Sequence, residues 1–161
     1  MKYLLLSLAL LAFFLTPAQA ADDGLYDPVA PAGSAFVRVI NTGLERSAVE
    51  PEIRGKKYDE VEYGAIGPYV PVPAGKAPVA IGTLGKDIEV AEGGFYSLAV
   101  RGNDVIVFKD AALTDPAKAL VTLYNLTGRD GLALKTADDK KIEIVPPVAS
   151  KKSGERPINP L

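Results

Sequence analysis

Apolar residues in this chain alternate with polar ones or form short runs, and each run stops at Gly, Pro, Asn or Asp. No long stretch repeats with the 3.6-residue period of a helix. The pattern predicts strands near 36–41, 47–54, 57–62, 69–73, 77–82, 86–90, 94–101 and 104–109. The turns between them have chemical reasons. Gly102-Asn103 lies between two β-rich runs, and both residues tolerate the positive φ of a tight hairpin. Arg54-Gly55 and Glu92-Gly93-Gly94 are similar signals. In "GPYVPVPAG" at 67–75 prolines recur, and Pro cannot donate to a ladder, so this segment belongs on a sheet edge or in a loop.

Strands at this spacing predict an all-β protein whose residues 34–112 form an immunoglobulin-like β-sandwich. Residues 113–118 read as a linker. The run "FVRVINTG" at 36–43 then returns in altered form as "LVTLYNLTG" at 120–128. With Asn41 aligned on Asn125, Val37 and Val39 match Val121 and Leu123 on a core face. Phe36, Arg38 and Ile40 match Leu120, Thr122 and Tyr124 on the other. The repeat points to a second β-sandwich over 119–161. After Asn125 only "GLALKT" (131–136) and "KIEIV" (141–145) read as strands, which makes three at most and an incomplete second domain.

Residues 1–20 stand apart. Lys2, an apolar stretch and Ala18-Gln19-Ala20 form the three-part signature of a secretory signal peptide, with cleavage expected before Ala21. The apolar stretch is too short for a bilayer core of ~30 Å. An arm at 21–33 follows, and no membrane insertion is expected after cleavage. The chain carries 18 Lys and Arg against 20 Asp and Glu, a formal net charge of −2, and loses Lys2 with the leader. Bulk attraction to nucleic acid is therefore not expected. Cysteine is absent, so neither disulfides nor a lipid-modified N-terminal Cys is available. These features fit the periplasm of a Gram-negative bacterium.

Histidine is absent as well. The usual general base near neutral pH, Cys/His zinc sites, thiol nucleophiles and a Ser-His-Asp triad are all excluded. No nucleophile elbow, phosphate-binding loop or dinucleotide fingerprint occurs, and no cofactor is expected. Ser150-Lys151-Lys152-Ser153 would need a buried Lys to work as a dyad, whereas a Pro-flanked polar tail reads as a solvated charge run. Asp138-Asp139 lacks the full pattern of a calcium loop and reads as a hairpin turn. Tyr58, Tyr63 and Tyr69 offer either an exposed aromatic strip for sugar or half-buried strand residues. Lys140, Lys141, Lys151, Lys152 and Arg156 offer either a face for an acidic polymer or protein, or an ordinary solvated surface.

Three groups of residues carry a family resemblance. They are the string Leu25-Tyr26, Pro28, Ala30-Pro31, Gly33-Ser34, 36–39 and Asn41; the segment Leu134-Lys135-Thr136-Ala137-Asp138; and Gly154-Glu155-Arg156 with Ile158-Asn159-Pro160. In order and spacing they resemble the AlgF family, periplasmic accessory proteins of alginate O-acetylation. The middle, 44–117, is similar only in strand-and-turn texture. The resemblance implies two tandem β-sandwiches and a non-catalytic protein that links periplasmic and membrane-bound polysaccharide O-acetyltransferase components. It also implies that the chain stops before the second sandwich is complete. Partner contacts are expected where the likeness is densest, at Tyr26, Pro28, Arg38, Lys151, Lys152, Glu155, Arg156 and Asn159. The alternative is a carbohydrate-binding module that presents an acidic polysaccharide to a periplasmic enzyme.

Overall fold

The computed structural model describes residues 30–43 and 47–159. The signal peptide, Tyr26 and Pro28 lie outside the described residues. Twelve strands and no helix occur among those described. One sheet has the order β4-β1-β7-β8 and contains β1 (Ser34–Asn41), β4 (Val70–Pro73), β7 (Phe95–Arg101) and β8 (Asp104–Asp110). The other has the order β3-β2-β5-β6 and contains β2 (Pro51–Ile53), β3 (Lys56–Lys57), β5 (Gly75–Ile81) and β6 (Leu84–Val90). All pairings are antiparallel except that of β1 with β7.

The two sheets share one core, because alternation aims one face of each strand inward. Val37 and Val39 of β1 meet Leu98 and Val100 of β7, Val79 and Ile81 of β5, and Ile88 and Val90 of β6. The proline-rich strand β4 lies at a sheet edge, as a strand short of donors must. The expected strand at 57–62 shrinks to Lys56–Lys57, and the one at 47–54 to a bridge at Val49 and the short β2. Asp59 and Glu60 both stay in water while Val61 turns into the core, so the two-residue period fails there.

The C-terminal strands differ more from expectation. β9 (Ala119–Tyr124) pairs with β12 (Ser153–Ile158), and β10 (Leu132–Lys135) with β11 (Glu143–Val148). The sequence reading of three strands at most is corrected to four. β12 escapes it because Gly154, Pro157 and two charged residues disguise a strand, yet it pairs with β9 in unbroken register from Ser153–Tyr124 to Ile158–Ala119. β11 runs past its expected end through Pro146-Pro147. A register shift between Leu132 and Leu134 lets three residues of β11 face two of β10, and prolines are tolerated at such a bulge. Gly154 is required where β12 crosses β11, since a Cβ there would sit 2.6 Å from Val148 and 3.0 Å from Val145.

The two strand-ending asparagines do the same job. Asn41 and Asn125 are both fully buried. Asn41 donates to the carbonyls of Ser47 and Val61, each at 2.9 Å, and accepts from the Gly43 amide. Asn125 donates to the carbonyls of Arg129 and Val148, each at 2.8 Å, and accepts from the Thr127 amide. In each case one side chain turns the chain out of its strand and ties the exit to a segment 20 or 23 residues further on.

Candidate functional site

The outer face of the β4-β1-β7-β8 sheet is not a solvent face. On β8, Ile106, Phe108 and Asp110 are buried, while Val107 and Lys109 are exposed. The cover is β9. Tyr124 and Leu126 pack on Ile40, Ala99, Ile106 and Phe108, and the Tyr124 ring meets Phe108 edge-on at 5.0 Å. At one end of this contact lies a knot of polar side chains from five segments.

Asp110 is its centre. Its carboxylate accepts from Ser97 Oγ at 2.6 Å, from the Tyr69 hydroxyl at 2.7 Å and from the Tyr124 hydroxyl at 2.6 Å. Arg38 closes the circuit. Its Nε donates to Ser97 Oγ and its Nη2 to the Tyr124 hydroxyl, both at 2.8 Å, and its guanidinium lies 4.3 Å over the Tyr69 ring. Strand pairing puts these groups together, because Arg38 stands opposite Ser97 and Phe95 opposite Asp110. Tyr69 also meets the edge of Phe95, which stacks on Phe36 at 4.8 Å. Burial, then the bond to Asp110, raises both phenols above the usual tyrosine value, Tyr69 by a wide margin. Each therefore stays a neutral donor.

Chemically the knot is a fastener. Ser97 is fully buried, donates to a carboxylate and accepts from a guanidinium, so its hydroxyl is not presented to a substrate. Beside it, between the sheet and β9, is a cavity of about 340 Å³ lined by Arg38, Tyr69, Phe95, Leu113, Leu120 and Thr122 among others. No group of three or more His, Cys, Asp or Glu among the described residues could hold a metal. Asp138 instead accepts from the Thr136 hydroxyl inside its turn.

The residues expected at a partner surface are scattered. Arg38 lies in the knot. Lys151 and Lys152 form the turn around Asn125: the Lys151 amide donates to the Asn125 carbonyl, and the Asn125 amide to the Lys152 carbonyl. The ammonium of Lys151 reaches Asp104 at 3.6 Å. Glu155 accepts from the Ala111 amide, Arg156 donates to the Glu143 carbonyl, and Asn159 is exposed just beyond β12. The three neighbouring tyrosines form no strip. Tyr58 packs on the core, Tyr63 is exposed, and Tyr69 is tied to Asp110. Asp110, Ser97 and Tyr124 were not singled out from sequence, and only the place of Tyr124 opposite Ile40 in the repeat marked it.

The fold and site define an all-β protein whose sandwich is bonded through a buried carboxylate to further strands. The family model described as "Alginate O-acetyl transferase AlgF" matches residues 4–161, and the chain belongs to that family. It is 33% identical over 147 residues to the alginate biosynthesis protein AlgF of Pseudomonas syringae pv. tomato, covering 90% of this chain and 64% of the relative. To that of Pseudomonas fluorescens it is 34% identical, covering 89% and 65%, and to that of Pseudomonas aeruginosa 32%, covering 97% and 69%. The chain thus spans just under two thirds of the first two of these relatives. Among solved structures, the N-terminal domain of AlgF from P. aeruginosa matches with a TM-score of 0.45 and 20% identity, covering 51% of this chain and 99% of that one.

Proposed function

We propose that this chain is a non-catalytic accessory protein of exopolysaccharide O-acetylation, exported to the periplasm, where it links periplasmic and membrane-bound acetyltransferase components. Membership of a family connected by name with alginate and acetyl transfer supplies the process. The observation that carries the role is the composition of the chain together with the state of its polar centre. Without His or Cys, acyl transfer would rest on Ser, Lys, Tyr and carboxylates. The most concentrated set of these is engaged in the knot, where each hydroxyl donates to Asp110 and the phenols are held neutral. A protein that cannot readily move protons can still hold others together through surfaces and strand edges.

The test is a pull-down of a periplasmic acetyltransferase of the same system with the purified chain, beside an assay of acetyl-ester turnover by the chain alone. A complex and no turnover are expected. Turnover by the isolated chain, or no complex at high protein concentration, overturns the proposal. A second reading, a module that binds an acidic polysaccharide, is favoured by the Arg38 guanidinium and the Tyr69 and Phe95 rings in one cavity. It predicts salt-sensitive binding of oligouronates.

A further inference from the structure

β8 ends its sheet. It pairs with β7 in unbroken register from Phe95–Asp110 to Arg101–Asp104, and no strand lies on its other side among the described residues. The other edges of the sandwich are blunted. β4 carries Pro71 and Pro73, β3 has two residues, and β6 exposes Gly85, Asp87 and Glu89. β8 has seven residues with neither Pro nor Gly, and Val107 at its middle is 37% exposed. Val107 shares a face with Val105, which is buried in the core, so the cover of the core stops short of the middle of this edge.

The backbone on that edge points outward. Val100 and Val105 stand opposite each other, yet the Thr42 hydroxyl donates to the Val100 carbonyl and the Lys86 ammonium to the Val105 carbonyl. The pair therefore turns its polar groups away from each other. By alternation the amides and carbonyls of Val105, Val107 and Lys109 all point away from β7. One of these groups is already taken. Lys86, on β6 in the opposite sheet, reaches across to the Val105 carbonyl and stands 3.3 Å from Asp104, which Lys151 also meets at 3.6 Å. An added strand would have to expel that ammonium, and a charged side chain laid on an edge keeps a strand single.

The edge is also complementary to itself. A two-fold axis at Val107 would set Val107 against its own copy and Val105 against Lys109 of the second copy, each pair exchanging two backbone hydrogen bonds. The two Val107 side chains would cover each other, and on the outer face Ile106 would stand opposite Phe108. Asp104 and Asp110 would meet at the ends. There Lys151 remains beside Asp104, and Asp110 already accepts from three hydroxyls.

We propose that β8 is a docking edge for a second copy of this chain and that Lys86 holds it shut. The inference is independent of the accessory role above, since it rests on the register and edge contacts of the sandwich alone.

Sedimentation equilibrium and amide exchange test it on the full chain. The native chain is expected to be a monomer. Lys86→Met and Lys86→Ala both remove the ammonium and are expected to dimerise with a Kd of about 0.1 mM. In the dimer the Val107 and Lys109 amides, which alternation leaves unpaired in the native chain, should exchange at least about tenfold more slowly. Lys86→Arg keeps a cation on the edge and should stay monomeric. So should Lys118→Met, which loses the same charge at an exposed site off the edge. Adding Val107→Lys to Lys86→Met sets two ammonium groups at the axis and should restore the monomer. Variants of Lys86 that keep the native unfolding midpoint and remain monomeric at about 1 mM overturn the proposal. A native chain that is already a dimer, dimerisation of Lys118→Met, or a Lys86→Met dimer whose Val107 amide stays unprotected overturns it as well.

Discussion

Arg38 on β1 donates to the hydroxyl of Tyr124 on β9 across 86 residues of sequence, at 2.8 Å. The same hydroxyl donates to Asp110. The bond therefore joins the cation and the carboxylate of the sandwich through a residue of the C-terminal strands. Removing that hydroxyl should cost more than one ordinary hydrogen bond, because Asp110 loses a donor in a buried setting. Tyr124→Phe is expected to lower stability by about 1–3 kcal/mol, read from urea denaturation. Amide exchange should quicken in β9 and β12 more than in β5 and β6. An unchanged midpoint would show that the knot contributes nothing.

The twin asparagines make a paired test. Asn125→Ala would remove its bonds to the carbonyls of Arg129 and Val148 and those it accepts from the Thr127 amide and hydroxyl, so a loss of about 2 kcal/mol is expected. Asn41→Ala should cost nearly as much, because its three bonds have counterparts at Asn125, which adds only one from the Thr127 hydroxyl. Exchange should localise the damage, to β9–β12 in the first variant and to the β1 exit and Val61 in the second. Equal damage everywhere would argue against the two asparagines acting locally.

Gly154 tests the close crossing of β12 and β11. An added methyl meets Val148 and Val145, both buried valines, so Gly154→Ala should destabilise by about 1–3 kcal/mol. Coupling it with Val148→Ala, which opens space at the point of closest approach, should recover part of the loss. A neutral Gly154→Ala would place the two strands further apart than they are here.

The knot also predicts alkaline sensitivity. Tyr69 and Tyr124 have pKa values raised in the fold, first by burial and then by Asp110. The folded state thus holds these protons more tightly than the unfolded chain. The resulting stability is complete below the ordinary tyrosine value of 10.0 and is lost as pH rises from there toward the folded values. Denaturation midpoints should fall from about pH 10 upward, and tyrosinate absorbance from these two rings should appear only with unfolding. Tyr69→Phe should flatten the fall. A midpoint independent of pH in this range would contradict the packing of the phenols.

Much of the sandwich was legible because its signal is local. Alternation placed β5 to β8 within a residue or two, and the recurring proline put β4 on an edge. β12 was missed because its pairing with β9 is a property of two segments, and its own Gly, Pro and charges read as a tail. Arg38 was picked out as a contact, but its neighbours were not. Ser97 and Asp110 look like ordinary strand residues until register sets them beside it.

The sequence by itself determined that this chain is built from strands, that Val37 and Val39 face a core, that Asn41 and Asn125 end equivalent strands, and that no imidazole or thiol is available for catalysis. Only the tertiary structure decided what covers the other face of β1. A period of two marks two faces of a strand but says nothing of what lies against each. That depends on where β9 docks, and docking is what brings Arg38, Tyr69, Ser97, Asp110 and Tyr124 within hydrogen-bond or ring-stacking distance.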